Sequence, residues 1–409
     1  MIRTMIRIAL IFLLALTYAQ PWENWALTPQ CSDVHFKLTT TAANRVANNA
    51  PKDLFSDPEA IDAFLGQPVA YRNMSGTFTI YGQLCRPMHH SRIPKLQLLV
   101  HGSTYNHTYW SSLQEPSGSS WASLPPDHEE LSWIHTATRR GYWTLAIDRL
   151  GQGLSSRPDP VIVVQSPLQT QLLHLIAQDI REHDLLGIRS TRGGCDDGVD
   201  RLKLIYVGHS FGSGLGVRLA AAHSEDFDAL ILTGIATVRG NPQPGSLLAR
   251  WAPTAQFGSR FPRNTPAGYL VSTNKTGRQA LYWGALSDFD AEMFEKDWAG
   301  QGTLPLGEVL TAGEYLADLP ETFDKPVLVA TGTEDAIFCS DFGSRALGPV
   351  RCRVGDDGEI GETMKWFPGV PDELFATYLQ PDAGHDHLLH RTGDQLIEYA
   401  HTWLASVGL

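Results

Sequence analysis

Five short apolar runs recur along the chain: PKLQLLVHGS (94–103), YWTLAIDRLG (142–151), LKLIYVGHS (202–210), DALILTGIA (228–236) and KPVLVATGTED (325–335). Each is continuous rather than alternating and ends in a loop, the pattern of a strand buried on both faces. Between the second and third runs, SPLQTQLLHLIAQDIREHDL sets Leu168, Leu172, Leu173, Ile176 and Ile180 at helical spacing. FGSGLGVRLAAAHS predicts another helix directly after the third strand. Continuous strands alternating with amphipathic helices imply an α/β fold, with a mostly parallel twisted sheet covered by helices on both faces. GTFTIYGQLCRP (76–87) alternates instead and is expected to form an antiparallel edge, while FATYLQ (375–380) reads as a further strand near the carboxyl end.

Residues 238–322 break this rhythm. They are rich in Pro, Gly and aromatic residues and contain no convincing buried strand, whereas TGRQALYWGAL and DAEMFEKDWAG carry helical patterns. A mainly helical cap insertion is expected there, between two core segments at 20–237 and 323–409, because a crossover of that length usually carries function. The first segment, 1–19, reads as a signal peptide. Arg3 and Arg7 precede an apolar run from Ile8 to Leu16, and small residues follow before Gln20. That run is too short to span a bilayer, which takes about 20 apolar residues, and no later stretch is longer.

Composition narrows the choice further. The chain has 409 residues, 43% apolar and 19% charged, ample for a large core. A net charge of −12 makes nucleic acid and anionic membranes poor partners, and by itself indicates only solubility. The sequence does not indicate an oligomeric state. An oxidising, secreted setting fits five cysteines, with Cys339 expected to pair with Cys352 and Cys31 with Cys85, leaving Cys195 free. Three sequons, at Asn73, Asn106 and Asn274, agree with secretion, although a glycan on Asn106 would crowd the expected site.

The third run carries the chemistry. In GHSFG, between strand and helix, Gly208 and Gly212 remove Cβ atoms that would collide where the chain reverses at Ser210. Such an elbow lifts a hydroxyl to the amino end of a helix, where backbone N–H groups favour developing negative charge. A serine nucleophile needs a base, and the base needs an acid to hold its tautomer. Asp335 in TGTEDAIF is the expected acid, with Glu334 as the alternative. His385 in PDAGHDHLLH is the expected base, with His387 as the alternative and His390 read as starting the last helix. The oxyanion donors are expected at the backbone of Phe211 and of Ser103, or else Thr104. Tyr105, His107 and Trp110, beside that loop, are expected to line the substrate pocket. Asp148 also ends a strand but precedes the nucleophile, so it reads as structural. No metal or cofactor is expected: H-E-x-x-H is absent, and no second His or Cys cluster with ligand spacing accompanies H-x-H.

Taken together, HGST, DRLGQG, GHSFG, GTED and GHDH, in this order, resemble the α/β-hydrolase superfamily in its capped serine-hydrolase branch, over roughly residues 75–409. LLVHGSTYNHTYW, EDAIFC and the LC-P segment at Leu84–Pro87 are similar to secreted microbial members. The resemblance implies nucleophile, acid and base positions at Ser210, Asp335 and His385. Relatives that open epoxides or cleave carbon–halogen bonds carry aspartate at the elbow, and Ser210 argues against both chemistries. The expected activity is hydrolysis of a carboxylic ester or lactone of an apolar small molecule. The alternatives are amide, thioester or C–C cleavage by the same residues, or a catalytically silent binding module.

Overall fold

A computed structural model describes residues 29–47, 54, 58–89, 93–115, 131–183, 202–238, 249–284, 287–339 and 351–409. The expected signal peptide and Cys195 lie outside them. Among the described residues the main sheet has eight strands. In chain order they are β1 (Gln30–Arg45), β2 (Tyr71–Arg86), β3 (Lys95–Val100), β4 (Trp143–Ile147), β5 (Lys203–His209), β6 (Ala229–Thr233), β10 (Val327–Gly332) and β11 (Phe375–Gln380). Their spatial order is β1-β2-β4-β3-β5-β6-β10-β11. From β4 to β11 every pairing is parallel. Only β2 runs antiparallel to its neighbours, β1 and β4.

This corrects one expectation. The alternating stretch 76–87 belongs to an antiparallel strand, yet β2 is not the edge. The edge is β1, whose QCSDVHFKLTTTAANR is too polar to announce itself, since only Phe36, Ala42, Asn44 and Arg45 along it are buried.

Parallel strands feed alternate side chains to two separate cores. Leu98, Val100, Tyr206, Leu230 and Val329 join the apolar faces of α3 (Ser166–Glu182) and α4 (Phe211–Ala222). Leu99, Ile205, Val207, Ile231 and Leu328 instead meet α2 (Trp133–Arg139) and α8 (Gly393–Ser406). The continuous apolar character of these strands follows directly, because neither face meets water.

The segment between β6 and β10 carries helices, as its patterns predict. They are α5 (Lys275–Arg278), continued by a π-turn over Gln279–Trp283, then α6 (Ala291–Gly300) and α7 (Leu306–Thr311). It also contains a small antiparallel sheet, β7 (Trp251–Pro253), β8 (Tyr269–Ser272) and β9 (Leu304–Pro305), in the order β7-β8-β9. All four residues of β8 are buried, against the expectation of no buried strand. A four-residue strand flanked by Gly268 and Thr273 is too short for periodicity to reveal. Leu270, Leu306 and Leu310 of this segment pack on Leu54 and on Phe64 of α1 (Pro58–Leu65), so the amino-terminal region touches the insertion.

Among the described residues there are two disulfides, Cys31–Cys85 and Cys339–Cys352. The first joins residues directly opposite each other on β1 and β2. Among the described residues, no helix is long and apolar enough to cross a membrane.

Candidate active site

Strand β5 stops at His209 and α4 begins at Phe211, leaving one residue to make the turn. That residue, Ser210, sits at φ 53° and ψ −117°, a left-handed conformation costly for any side chain with a Cβ. Its surroundings over-determine it. The Ser210 N–H donates to Thr233 O (2.8 Å), and the Ser213 hydroxyl donates to the same oxygen (2.7 Å). A Cβ on Gly212 would lie 2.2 Å from Val100 O, so only glycine allows α4 to start so close to the end of β3. Opposite, a Cβ on Gly102 would meet the Ser210 Cβ at 2.9 Å.

The Ser210 Oγ lies 2.8 Å from His385 Nε2, and His385 Nδ1 lies 2.9 Å from Asp335 Oδ2. Asp335 is fully buried at the end of β10. Its Oδ1 accepts the N–H groups of Ile337 (2.9 Å) and Phe338 (3.1 Å), and its Oδ2 accepts the Thr331 hydroxyl. Burial penalises both charged forms, but each partner outweighs that penalty for the other. The Asp335 carboxylate holds His385 above the ordinary histidine value, and His385 with those donors holds Asp335 below the ordinary carboxylate value.

The contacts between Ser210, His385 and Asp335 do not pass through the alternative residues. Glu334 precedes the carboxylate that meets His385. His387 is fully buried, and burial pushes it down to about 3. His390 does not start the last helix, which begins at Gly393. Its Nε2 accepts the Gly384 N–H (3.1 Å) and lies 3.0 Å from Trp283 O.

Beside Ser210 opens a cavity of about 1180 Å³, mouth included, walled mainly by apolar side chains such as Leu215, Ile235, Leu281, Val309, Ile337 and Phe338. Ser103 and Phe211 line it together with Ser210. The Thr104 N–H is committed to Thr303 O (3.2 Å), which leaves Ser103 rather than Thr104 on the cavity side.

Three expected pocket residues are not there. Tyr105, His107 and Trp110 are buried and none lines this cavity. Beyond the loop the chain enters a 3-10 turn (His107–Trp110) that packs onto the sheet. Tyr105 donates to Asp297 (3.0 Å), with Asp386 also against its hydroxyl oxygen, and Trp110 stacks edge-on against Trp133 in the core. His107 sits between Asp148 (2.8 Å) and Glu115. It is raised to about 9, because those two carboxylates outweigh its burial. Asp148 also accepts the Leu154 N–H (2.7 Å) and so braces the 148–154 turn.

Patterning did not single out Glu308, which lines the cavity from α7, nor Arg149, its partner from the end of β4. An arginine directly behind the apolar run Trp143–Ile147 and Asp148 was the available signal. Nor did it single out His209 and Asp386, whose side chains meet at 3.3 Å behind the site.

Two groups of three side chains lie within metal-ligand distance, among the described residues: His174/His223/Asp226 and His209/His385/Asp386. The His174 and His223 rings stack face to face at 3.6 Å and 10°, so no nearby point lies in both ring planes for an ion to occupy. In the second group, His385 has both nitrogens engaged, with Ser210 and Asp335.

A sequence profile described as "Alpha/beta hydrolase family" matches residues 97–398. No curated protein matches by sequence. Similar solved structures include a thermophilic esterase from Thermogutta terrifontis (17% identity, 81% of this chain and 95% of that one, TM-score 0.45). Others are a monoacylglycerol lipase from Paleococcus ferrophilus (13%, 77% and 96%, TM-score 0.44) and a methylesterase from Arabidopsis (15%, 76% and 98%, TM-score 0.43).

Proposed function

The chain belongs to the alpha/beta hydrolase family, and from that premise we propose that it is a serine hydrolase cleaving a carboxylic ester or lactone of an apolar small molecule. One observation carries the reading: a hydroxyl on a strained turn lies 2.8 Å from an imidazole whose other nitrogen faces a buried carboxylate. Neutral His385 takes the Ser210 proton at Nε2 as Oγ attacks the carbonyl carbon. The Asp335 carboxylate stabilises the imidazolium that forms. The Phe211 and Ser103 N–H groups receive the charge that develops on the carbonyl oxygen. Collapse passes the proton from His385 to the leaving alcohol and leaves an acyl group on Ser210. Water, activated by the same imidazole, then releases the acid.

The insertion at 238–322 acts as a cap over the cavity in this reading, contributing Trp251, Leu281 and Val309 to its apolar wall. Secretion is part of the same reading, supported by the amino-terminal pattern and by two disulfides.

Labelling with a serine-directed fluorophosphonate, followed by peptide mapping, tests the nucleophile. Wild type should label at Ser210, and Ser210→Ala should fold, fail to label, and lose at least about 10⁴ in kcat on aryl esters. Undiminished turnover by Ser210→Ala would remove the assignment. Labelling without turnover of any ester would instead favour an amide, thioester or C–C substrate.

A further inference from the structure

One buried arginine touches both halves of the expected oxyanion site. Arg149, 2% exposed, donates from Nε to His101 O (2.8 Å) and from Nη2 to Gly102 O (3.1 Å), an oxygen that His101 Nδ1 also meets at 2.7 Å while its Nε2 accepts the Arg149 N–H (3.0 Å). Its guanidinium also lies 4.7 Å from the centre of the Phe211 ring. The carbonyl of Gly102 and the N–H of Ser103 belong to one planar amide, and no peptide in the described chain is cis. In a trans amide the two groups point in opposite directions. With the Gly102 oxygen held towards Arg149, the Ser103 N–H points away from it, and Ser103 lines the cavity beside Ser210. A charged donor on the oxygen also polarises the amide, which strengthens its N–H as a donor.

Glu308 holds the arginine in turn. Its two oxygens take Nη1 and Nη2 (2.5 and 3.2 Å), Gln169 Nε2 adds a third bond (3.1 Å), and the Ser103 hydroxyl donates to Oε2 (3.0 Å). Glu308 is 1% exposed and is carried by α7 of the insertion. The insertion grips the same loop at a second point, where the Thr104 N–H donates to Thr303 O and Thr104 O accepts the Gly302 N–H (2.6 Å).

We propose that Arg149 and Glu308 are positioning residues for the oxyanion site, Arg149 orienting the Gly102–Ser103 amide and Glu308 fixing both the guanidinium and the Ser103 side chain. The insertion thereby takes part in transition-state stabilisation as well as covering the cavity. This inference rests on the serine-hydrolase reading. Since the pair is buried, its fork geometry matters more than its charge, and lysine is not an equivalent of arginine there.

The test compares wild type with Arg149→Lys and Glu308→Gln on a p-nitrophenyl ester, together with affinity for an alkyl boronic acid that forms a tetrahedral adduct. The expected result is a 10- to 100-fold fall in kcat with KM within about threefold. Boronate affinity and the fluorophosphonate labelling rate should fall by the same factor, and the pH profile should not shift. Should Arg149→Lys fail to fold, Glu308→Gln, which keeps the side-chain volume, carries the same comparison. A lower melting temperature with kcat and boronate affinity unchanged would overturn the inference, as would a rise in KM alone. Wild type that does not label at Ser210 would overturn the underlying reading too, which separates the two failures.

Discussion

Ser210 and His385 are 175 residues apart in the chain, yet their side-chain atoms meet at 2.8 Å. Replacing His385 by alanine removes the group that faces the hydroxyl, whereas His387→Ala removes a buried ring that has no hydrogen-bond partner among the described residues. We expect a kcat loss of about 10⁴ or more from the first and a far smaller one from the second. The reverse ranking would exchange their roles. The pH dependence follows from the same contact. His385 must be neutral to accept a proton, and Asp335 holds it above the ordinary histidine value of about 6.5. Activity (kcat/KM) should therefore rise with pH through a single ionisation above that value and fall away on acidification, while Asp335 stays ionised throughout the range. A profile breaking below pH 6.5 would contradict this. The Ser/Asp/His neighbourhood was legible because each residue ends or follows a strongly apolar strand. Tyr105, His107 and Trp110 were misread because closeness along the chain does not say which way a side chain turns. The 3-10 turn after the loop rotates His107 and Trp110 into the core, and Tyr105 turns towards Asp297 and Asp386.

Helix α6 is tied down by charge rather than by apolar area alone. Asp297 on it accepts from Arg278 at both oxygens (2.9 and 2.6 Å), from Trp283 Nε1 (2.9 Å) and from Tyr105 OH. Arg278 and Asp297 are almost wholly buried, so removing the acid strands a cation in low dielectric. Asp297→Ala should cost about 3–5 kcal/mol, visible as a lower melting temperature and denaturation midpoint. A shift within error would mean that water reaches Arg278. Burial, reinforced by the nearby Asp297 charge, also pushes Asp386 up to about 7. None of this could be read from patterning, since a buried ion pair inside an insertion looks like any surface charge. Strand β1 escaped for the opposite reason. Its threonines face solvent and pair across the ladder, as Thr39 with Thr77, so it lacks an apolar run.

Across the whole molecule, Cys31–Cys85 closes a 54-residue separation and fastens the outermost strand to the sheet. Loop-closure entropy assigns such a link about 4 kcal/mol, so Cys31→Ser/Cys85→Ser should melt several degrees lower than wild type under non-reducing conditions. Equal melting would show that the unfolded chain gains little freedom without it. The cavity is likewise built by the entire fold, with walls from α1, α4, the insertion and the turn after β10. Its apolar lining predicts that kcat/KM rises with acyl length from acetate to octanoate, by at most about fourfold per methylene, as burial of each CH₂ at about 0.8 kcal/mol allows. A flat or falling series would place the apolar part of the substrate elsewhere.

The amino-acid order alone implied the parallel sheet, its flanking helices, the elbow at Ser210, and an acid and a base arriving later in the chain. Burial on two faces, a tight turn and chain order all leave marks on neighbouring residues. Which carboxylate faces the imidazole, where the cavity lies, and that Arg149 and Glu308 grip the loop at Gly102 and Ser103 emerged only once the chain was folded. Those facts depend on side-chain direction and on contacts between distant segments, and neither is written in any local run of residues.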